Sequence, residues 1–201
     1  MSRLLSNCIA SCQRRYIYRW TCGYRHQEVR RETCRRESLR SAPIRRPEEE
    51  PVKTLFEETT LEEAKQRIAD LQPNDRAVWG KMNPAQTLAH CSAAMEIALG
   101  RPSQPRILLG RLLGPLVKKS MLVRGEPMRR NSKTEKSCFV TDERDFFAEK
   151  QRLLELIERF STGGPALCTT QPHFFFGKLT QVEWATLMYQ HLDHHLRQFN
   201  A

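Results

Sequence analysis

Apolar residues recur at helical spacing in four stretches, each bracketed by its own start and stop signals. Thr60 and Glu63 make a capping pair ahead of the run Leu61 to Leu71, which ends before Pro73. Asn83 followed by Pro84 marks a second start, and Gly100 stands where a C-terminal glycine is expected, so the second predicted helix is Pro84 to Leu99. Phe146, Leu153, Ile157 and Phe160 set the period of a third, Asp142 to Phe160, stopped by Gly163-Gly164. Thr180 with Glu183 repeats the capping-box signature and opens a fourth helix through Phe199. Between the second and third, seven glycines and prolines from Pro102 to Pro127 break up a crossover of about forty residues, with one irregular helix near Ile107 to Lys119. No stretch alternates with period two. The expected fold class is all-α, a four-helix bundle with a long crossover between its second and third helices.

Ahead of the first helix the periodicity disappears. Residues 1–51 hold 12 Arg, no Lys and 6 Glu, so +6 of the chain's net +10 lies in its first quarter. The acidic, proline-flanked Pro47-Glu-Glu-Glu-Pro51 separates this stretch from the rest. Two regions are therefore expected: 1–51, a basic N-terminal extension, disordered or artefactual, and 52–201, the bundle. With 201 residues, 39% of them hydrophobic, the chain can bury one modest core.

Four of the seven cysteines (Cys8, Cys12, Cys22, Cys34) sit in the arm, and Cys91, Cys138 and Cys168 in the remainder. An odd number at irregular spacing without a CxxC pair is not a disulfide framework or a zinc ribbon, and a reducing, cytoplasmic setting is the default. Two targeting readings compete with it: Ile9-Ala-Ser-Cys12 resembles a lipoprotein cleavage box, and the acid-free, Arg-rich first 27 residues resemble an organellar presequence. No stretch reaches the roughly 20 apolar residues that span a bilayer. The nearest, Ile107 to Val123, mixes leucines with Arg111, Lys118 and Lys119; it reads as a connector packing its leucines onto the bundle or as a segment lying on a membrane surface.

The chemistry concentrates in the histidines. His191 and His195 are one turn apart, and with His191 at zero and about 100° per residue, Trp184, His195, Met188 and Phe199 fall at about 20°, 40°, 60° and 80°. Both imidazoles thus sit mid-stripe on the apolar face, where their nitrogens need a partner. With His90 from the second helix they can converge on one divalent cation, zinc, nickel or iron, leaving a coordination position open. The competing reading makes all three hydrogen-bonded core residues. His194, about 60° to the other side, suits a rim or general-base role, and His173, in Pro172-His-Phe-Phe-Phe-Gly177, either overhangs the site as a second catalytic candidate or seals the core. Gln86 and Gln198 are placed to orient an imidazole, Asp193 is expected in solvent, and Cys91 is expected to be a buried structural thiol. The basic loop Arg124 to Lys136 is either solvated or a contact for an anion.

Several segments carry a resemblance: Trp79-Gly-Lys-Met-Asn-Pro-Ala-Gln86 with Leu88-Ala-His90-Cys91, Glu126-Pro-Met-Arg-Arg-Asn131, Phe174-Phe-Phe-Gly-Lys-Leu-Thr180, Trp184, and Tyr189-Gln-His-Leu-Asp-His-His-Leu-Arg-Gln198. Together they resemble a bacterial domain-of-unknown-function family within the DinB/YfiT-like superfamily. The resemblance implies an up-down-down-up four-helix bundle, a homodimer, and a divalent metal on His90, His191 and His195. It also implies enzymes that use low-molecular-weight thiols, thiol transferases and a maleylpyruvate isomerase among them. Members begin just before the segment matching Lys53-Thr-Leu-Phe56, which implies that residues 1–51 come from a start site placed too far upstream.

The expected function is a metal-dependent enzyme, of thiol-transferase or hydrolase type, whose partner is a small molecule rather than nucleic acid. The alternative is a non-catalytic module whose basic arm and loop engage nucleic acid or an anionic surface. A third is a bundle that keeps its histidines as core and binds nothing.

Overall fold

A computed structural model describes residues 51–103, 105–132 and 134–201. The readings of the arm, with Cys8, Cys12, Cys22 and Cys34, and of Lys133 lie outside these residues. The described chain is all-α: α1 (Glu58–Asp70), α2 (Pro84–Ala98), α3 (Leu108–Lys118) running into a π-helical turn (Lys119–Val123), a 3-10 turn (Lys136–Cys138), α4 (Phe146–Leu167) and α5 (Gln181–Arg197). One isolated bridge, His173 with Gly177, stands in place of any strand among the described residues.

Two of the three predicted helix caps hold, and the Asn83 cap is in addition a full capping box with Gln86. Asn83 Oδ1 accepts from the Gln86 amide while Gln86 Oε1 accepts from the Asn83 amide, and Thr180 with Glu183 does the same at α5. The third fails. α1 begins at Glu58 with Glu57 as its cap, and Thr60 is buried in the first turn with its hydroxyl donating to Glu57 Oε2. Glu63 is drawn away by Lys53 and by the Tyr189 hydroxyl. α4 starts at Phe146 because Asp145 caps the Ala148 amide, later than the expected Asp142. Its break falls at Gly164, with φ of 56°, after which Pro165 to Leu167 form one more turn.

α2 is the enclosed helix: 12 of its 15 residues are buried. It packs most extensively on α4 and also on α5, and α1 packs on both α4 and α5. The interior they share holds Ile68, Leu88, Met95, Leu153, Ile157, Phe160, Trp184 and Leu192. A helix apolar on nearly every side must be surrounded, so His90 on α2 is carried into the core whatever its own preference.

The crossover overturns one expectation. α3 does not lay its leucines on the rest of the fold; it presents its glycines. A Cβ on Gly110 would lie 2.5 Å from the Phe175 carbonyl oxygen, and one on Gly114 would lie 2.6 Å from it. The helix is held there by the Ile107 amide donating to the Phe174 carbonyl and by Lys118, paired with Glu183. In an exposed helix Gly→Ala gains about 1 kcal/mol. Here the added methyl meets rigid backbone, and overpacking of about 1–3 kcal/mol wins. Gly110→Ala is therefore expected to lower the unfolding free energy in a urea titration.

Candidate metal centre

The capped start of α2 and its burial fix the azimuth of His90, and α5 faces it with His191 and His195. Their ring centroids form a near-equilateral triangle, 4.9 Å for His90–His191, 4.7 Å for His90–His195 and 4.8 Å for His191–His195, with the rings steeply inclined to one another. One nitrogen from each lies within 4.8 Å of the other two, and His90 Nε2 is 3.0 Å from His191 Nε2.

The outer nitrogens identify the inner ones. His90 Nδ1 is 2.7 Å from the Cys138 carbonyl, and His195 Nδ1 is 3.1 Å from Gln198 Oε1. Both partners are acceptors only, so each Nδ1 carries the proton and each Nε2 offers a lone pair. Gln198 is itself fixed: its amide nitrogen donates to the Trp79 carbonyl at 2.6 Å, and its own carbonyl accepts from the Val78 amide at 2.7 Å. Gly80, with φ of 85°, leaves room for this, since a Cβ there would stand 2.3 Å from Gln198 Nε2. Such outer partners commonly change metal affinity by about 10- to 100-fold. Gln198→Leu is expected to weaken metal binding by that factor, read by competition with a chromophoric chelator.

The electrostatics point the same way. Burial holds His90 below its usual range despite the bond to the Cys138 carbonyl. Burial and the neighbouring imidazoles push His191 well down, and burial takes His195 to about 3. At neutral pH the cluster is uncharged, which a cation requires of imidazole ligands. Two nitrogens bound tetrahedrally to zinc at 2.0–2.1 Å stand about 3.3–3.4 Å apart, close to the 3.0 Å between His90 and His191, while a separation at the 4.8 Å limit would have to close by about 1.4 Å. The donor set fits a divalent ion with three protein ligands.

The structure separates the remaining candidates. His194 lies beside the triad, its ring 5.1 Å from that of His195 and 5.9 Å from that of Trp79, and it hydrogen-bonds the backbone of Met128. It borders a cavity of about 180 Å³ that also includes Arg130, Asp193 and Arg197. Burial lowers its pKa. His173 is built into the turn before α5: its Nδ1 accepts from the amides of Phe175 and Phe176, both at 3.2 Å, and its ring stacks on Phe176 and meets Trp184 edge-on. Gln86 is committed to the α2 cap and to the Asp142 carbonyl and reaches no imidazole. Asp193 is not solvated; it pairs with Arg67 at 2.9 Å and Arg197 at 3.0 Å. Cys91, Cys138 and Cys168 are buried free thiols, and burial pushes Cys138 and Cys168 up to about 11 and Cys91 further.

Two features had no sequence signal. The Cys138 carbonyl is a backbone atom 48 residues from the histidine it orients. Arg130 lies 3.9 Å over the Trp79 ring, a cation–π contact between the crossover and the start of α2's segment. Both tryptophan indole N–H groups near the site, Trp79 Nε1 and Trp184 Nε1, are buried and unpaired among the described residues.

The chain belongs to the family described as "Protein of unknown function (DUF1569)", whose model matches residues 53–201. No curated protein and no solved structure matches it.

Proposed function

We propose that this chain is a metal-dependent enzyme of the DinB-like class, with α1, α2, α4 and α5 as an up-down-down-up four-helix bundle, acting on a small molecule by thiol transfer or hydrolysis. One observation carries the reading: three neutral imidazoles converge while the outer nitrogens of His90 and His195 are held by carbonyl acceptors. In the metal-free state His90 Nε2 accepts from His191 Nε2–H at 3.0 Å; a divalent cation would replace that bond and take one lone pair from each ring.

A divalent cation on His90, His191 and His195 would lower the pKa of a thiol or water brought to it. The chain's own described thiols stay protonated, so a reacting thiol comes from a low-molecular-weight partner. His194, neutral at pH 7 and beside the triad, would accept a proton released from a thiol or water there. Arg130, 3.9 Å over the Trp79 ring, offers positive charge in the adjacent cavity for an anionic group of the substrate, whereas Arg197 there is already paired with Asp193.

The test is cobalt substitution of the full chain followed by titration with a small thiol. A near-ultraviolet sulfur-to-cobalt absorption band that saturates with thiol supports the reading. Bound cobalt whose spectrum no thiol changes would remove the thiol-transfer branch and leave hydrolysis.

A further inference from the structure

α3 is an amphipathic helix whose apolar side faces outward. Leu108, Leu109, Leu112, Leu113 and Leu116 are 80%, 51%, 76%, 39% and 70% exposed, whereas Gly110 and Gly114 are buried against Phe175. With Leu108 at zero, the five leucines fall between about 0° and 140°, and the two glycines at about 200° and 240°. One side of α3 is thus a continuous leucine face, and the opposite side is the attachment. Residues 101–125 contain Arg101, Arg106, Arg111, Lys118, Lys119 and Arg124 and no acidic residue. Arg111 and Lys119 are exposed and enter no ion pair among the described residues.

We propose that the leucine face of α3 docks on an anionic phospholipid surface, with the leucines at the headgroup boundary and Arg111 and Lys119 against lipid phosphates. No helix among the described residues is long and apolar enough to cross a membrane, and a helix of this pattern lies in the interface instead. Two arguments favour lipid over a second copy of the chain. An eleven-residue helix is about 16 Å long and offers a face of a few hundred Å², short of the roughly 800 Å² per partner of a stable interface. A two-fold pairing of this face would also set two copies of an acid-free cationic segment against each other, whereas a phospholipid surface supplies the negative charge that Arg111 and Lys119 lack.

The test is co-sedimentation of the full chain with vesicles of equal parts phosphatidylglycerol and phosphatidylcholine, and with phosphatidylcholine alone. Leu112→Ser/Leu116→Ser removes apolar contact without changing charge, and Arg111→Ser/Lys119→Ser removes charge without changing the leucines. All four side chains are exposed, and unchanged unfolding midpoints will show that the fold is kept. The expected result is binding to the anionic vesicles, weaker binding to neutral ones, and a drop of at least tenfold in partition for the leucine variant. A leucine variant that binds as well as the parent would assign the affinity to the arginine-rich residues 1–51 and overturn the proposal. No vesicle binding by the parent would also overturn it. So would a dimer, seen by sedimentation equilibrium, that the leucine substitutions dissociate while vesicle binding is absent.

Discussion

His191→Ala is expected to reduce metal affinity by about a hundredfold to a thousandfold while leaving the metal-free protein nearly as stable as the parent. A four-ligand structural zinc site is worth about 10–16 kcal/mol, or roughly 2.5–4 kcal/mol per ligand, and each 1.4 kcal/mol is a factor of ten. His191 keeps some surface where His90 and His195 are buried, so its truncation is expected to cost the metal-free fold little beyond the hydrogen bond to His90. Chelator competition and urea unfolding of the same samples give both numbers. A variant that loses several kcal/mol of metal-free stability, with metal retention unchanged, would show these imidazoles to be core residues joined by the His90–His191 hydrogen bond.

The second large effect is acid sensitivity at His173. Burial holds its pKa at about 3, against 6.5 unperturbed, and its Nδ1 is occupied by two backbone amides that a proton would displace. From pH 6.5 downward the unfolded chain takes up this proton and the folded chain does not until about 3. The residue's contribution to stability is therefore complete above pH 6.5 and is withdrawn at about 1.4 kcal/mol per pH unit as pH falls towards 3. Comparing the parent with His173→Gln cancels the other histidines. The gap in unfolding free energy between them should shift by roughly 3 kcal/mol between about pH 6 and pH 4, always against the parent. A gap that does not change with pH would mean that His173 protonates freely in the folded protein.

What could be read from the sequence follows from how far apart the interacting residues are. The Asn83 cap, the Thr180–Glu183 box and the His191–His195 pair are local, joining residues at most four apart, and helical geometry alone places them, whereas Gln86, expected to orient an imidazole, closes the Asn83 box. The central position of Trp184 and Met188 on the α5 stripe was legible for the same reason, and both are buried; the helix ends at Arg197, short of the expected boundary, and Phe199, also buried, lies past that end. Thr60 with Glu63 has the same local signature, yet long-range partners, Lys53 and Tyr189, claim the glutamate. The period of α3 was legible but its facing was not. Which side of an amphipathic helix meets the fold depends on what it meets, here the backbone of Phe175, which only glycine can approach. The Cys138 carbonyl on His90 and the Gln198 bond to Trp79 span 48 and 119 residues, and nothing local encodes them. Convergence of His90 with the α5 pair likewise required the α2–α5 packing.

The central claim is that three histidines from two helices form one metal site, and the metal content of the full chain tests it most directly. The chain would be purified without a histidine tag and measured by elemental mass spectrometry beside His191→Ala/His195→Ala. About one equivalent of a single divalent metal in the parent, lost in the double variant, is the predicted result. No metal in either, after reconstitution with zinc, nickel and ferrous iron and with the fold intact, would contradict the account.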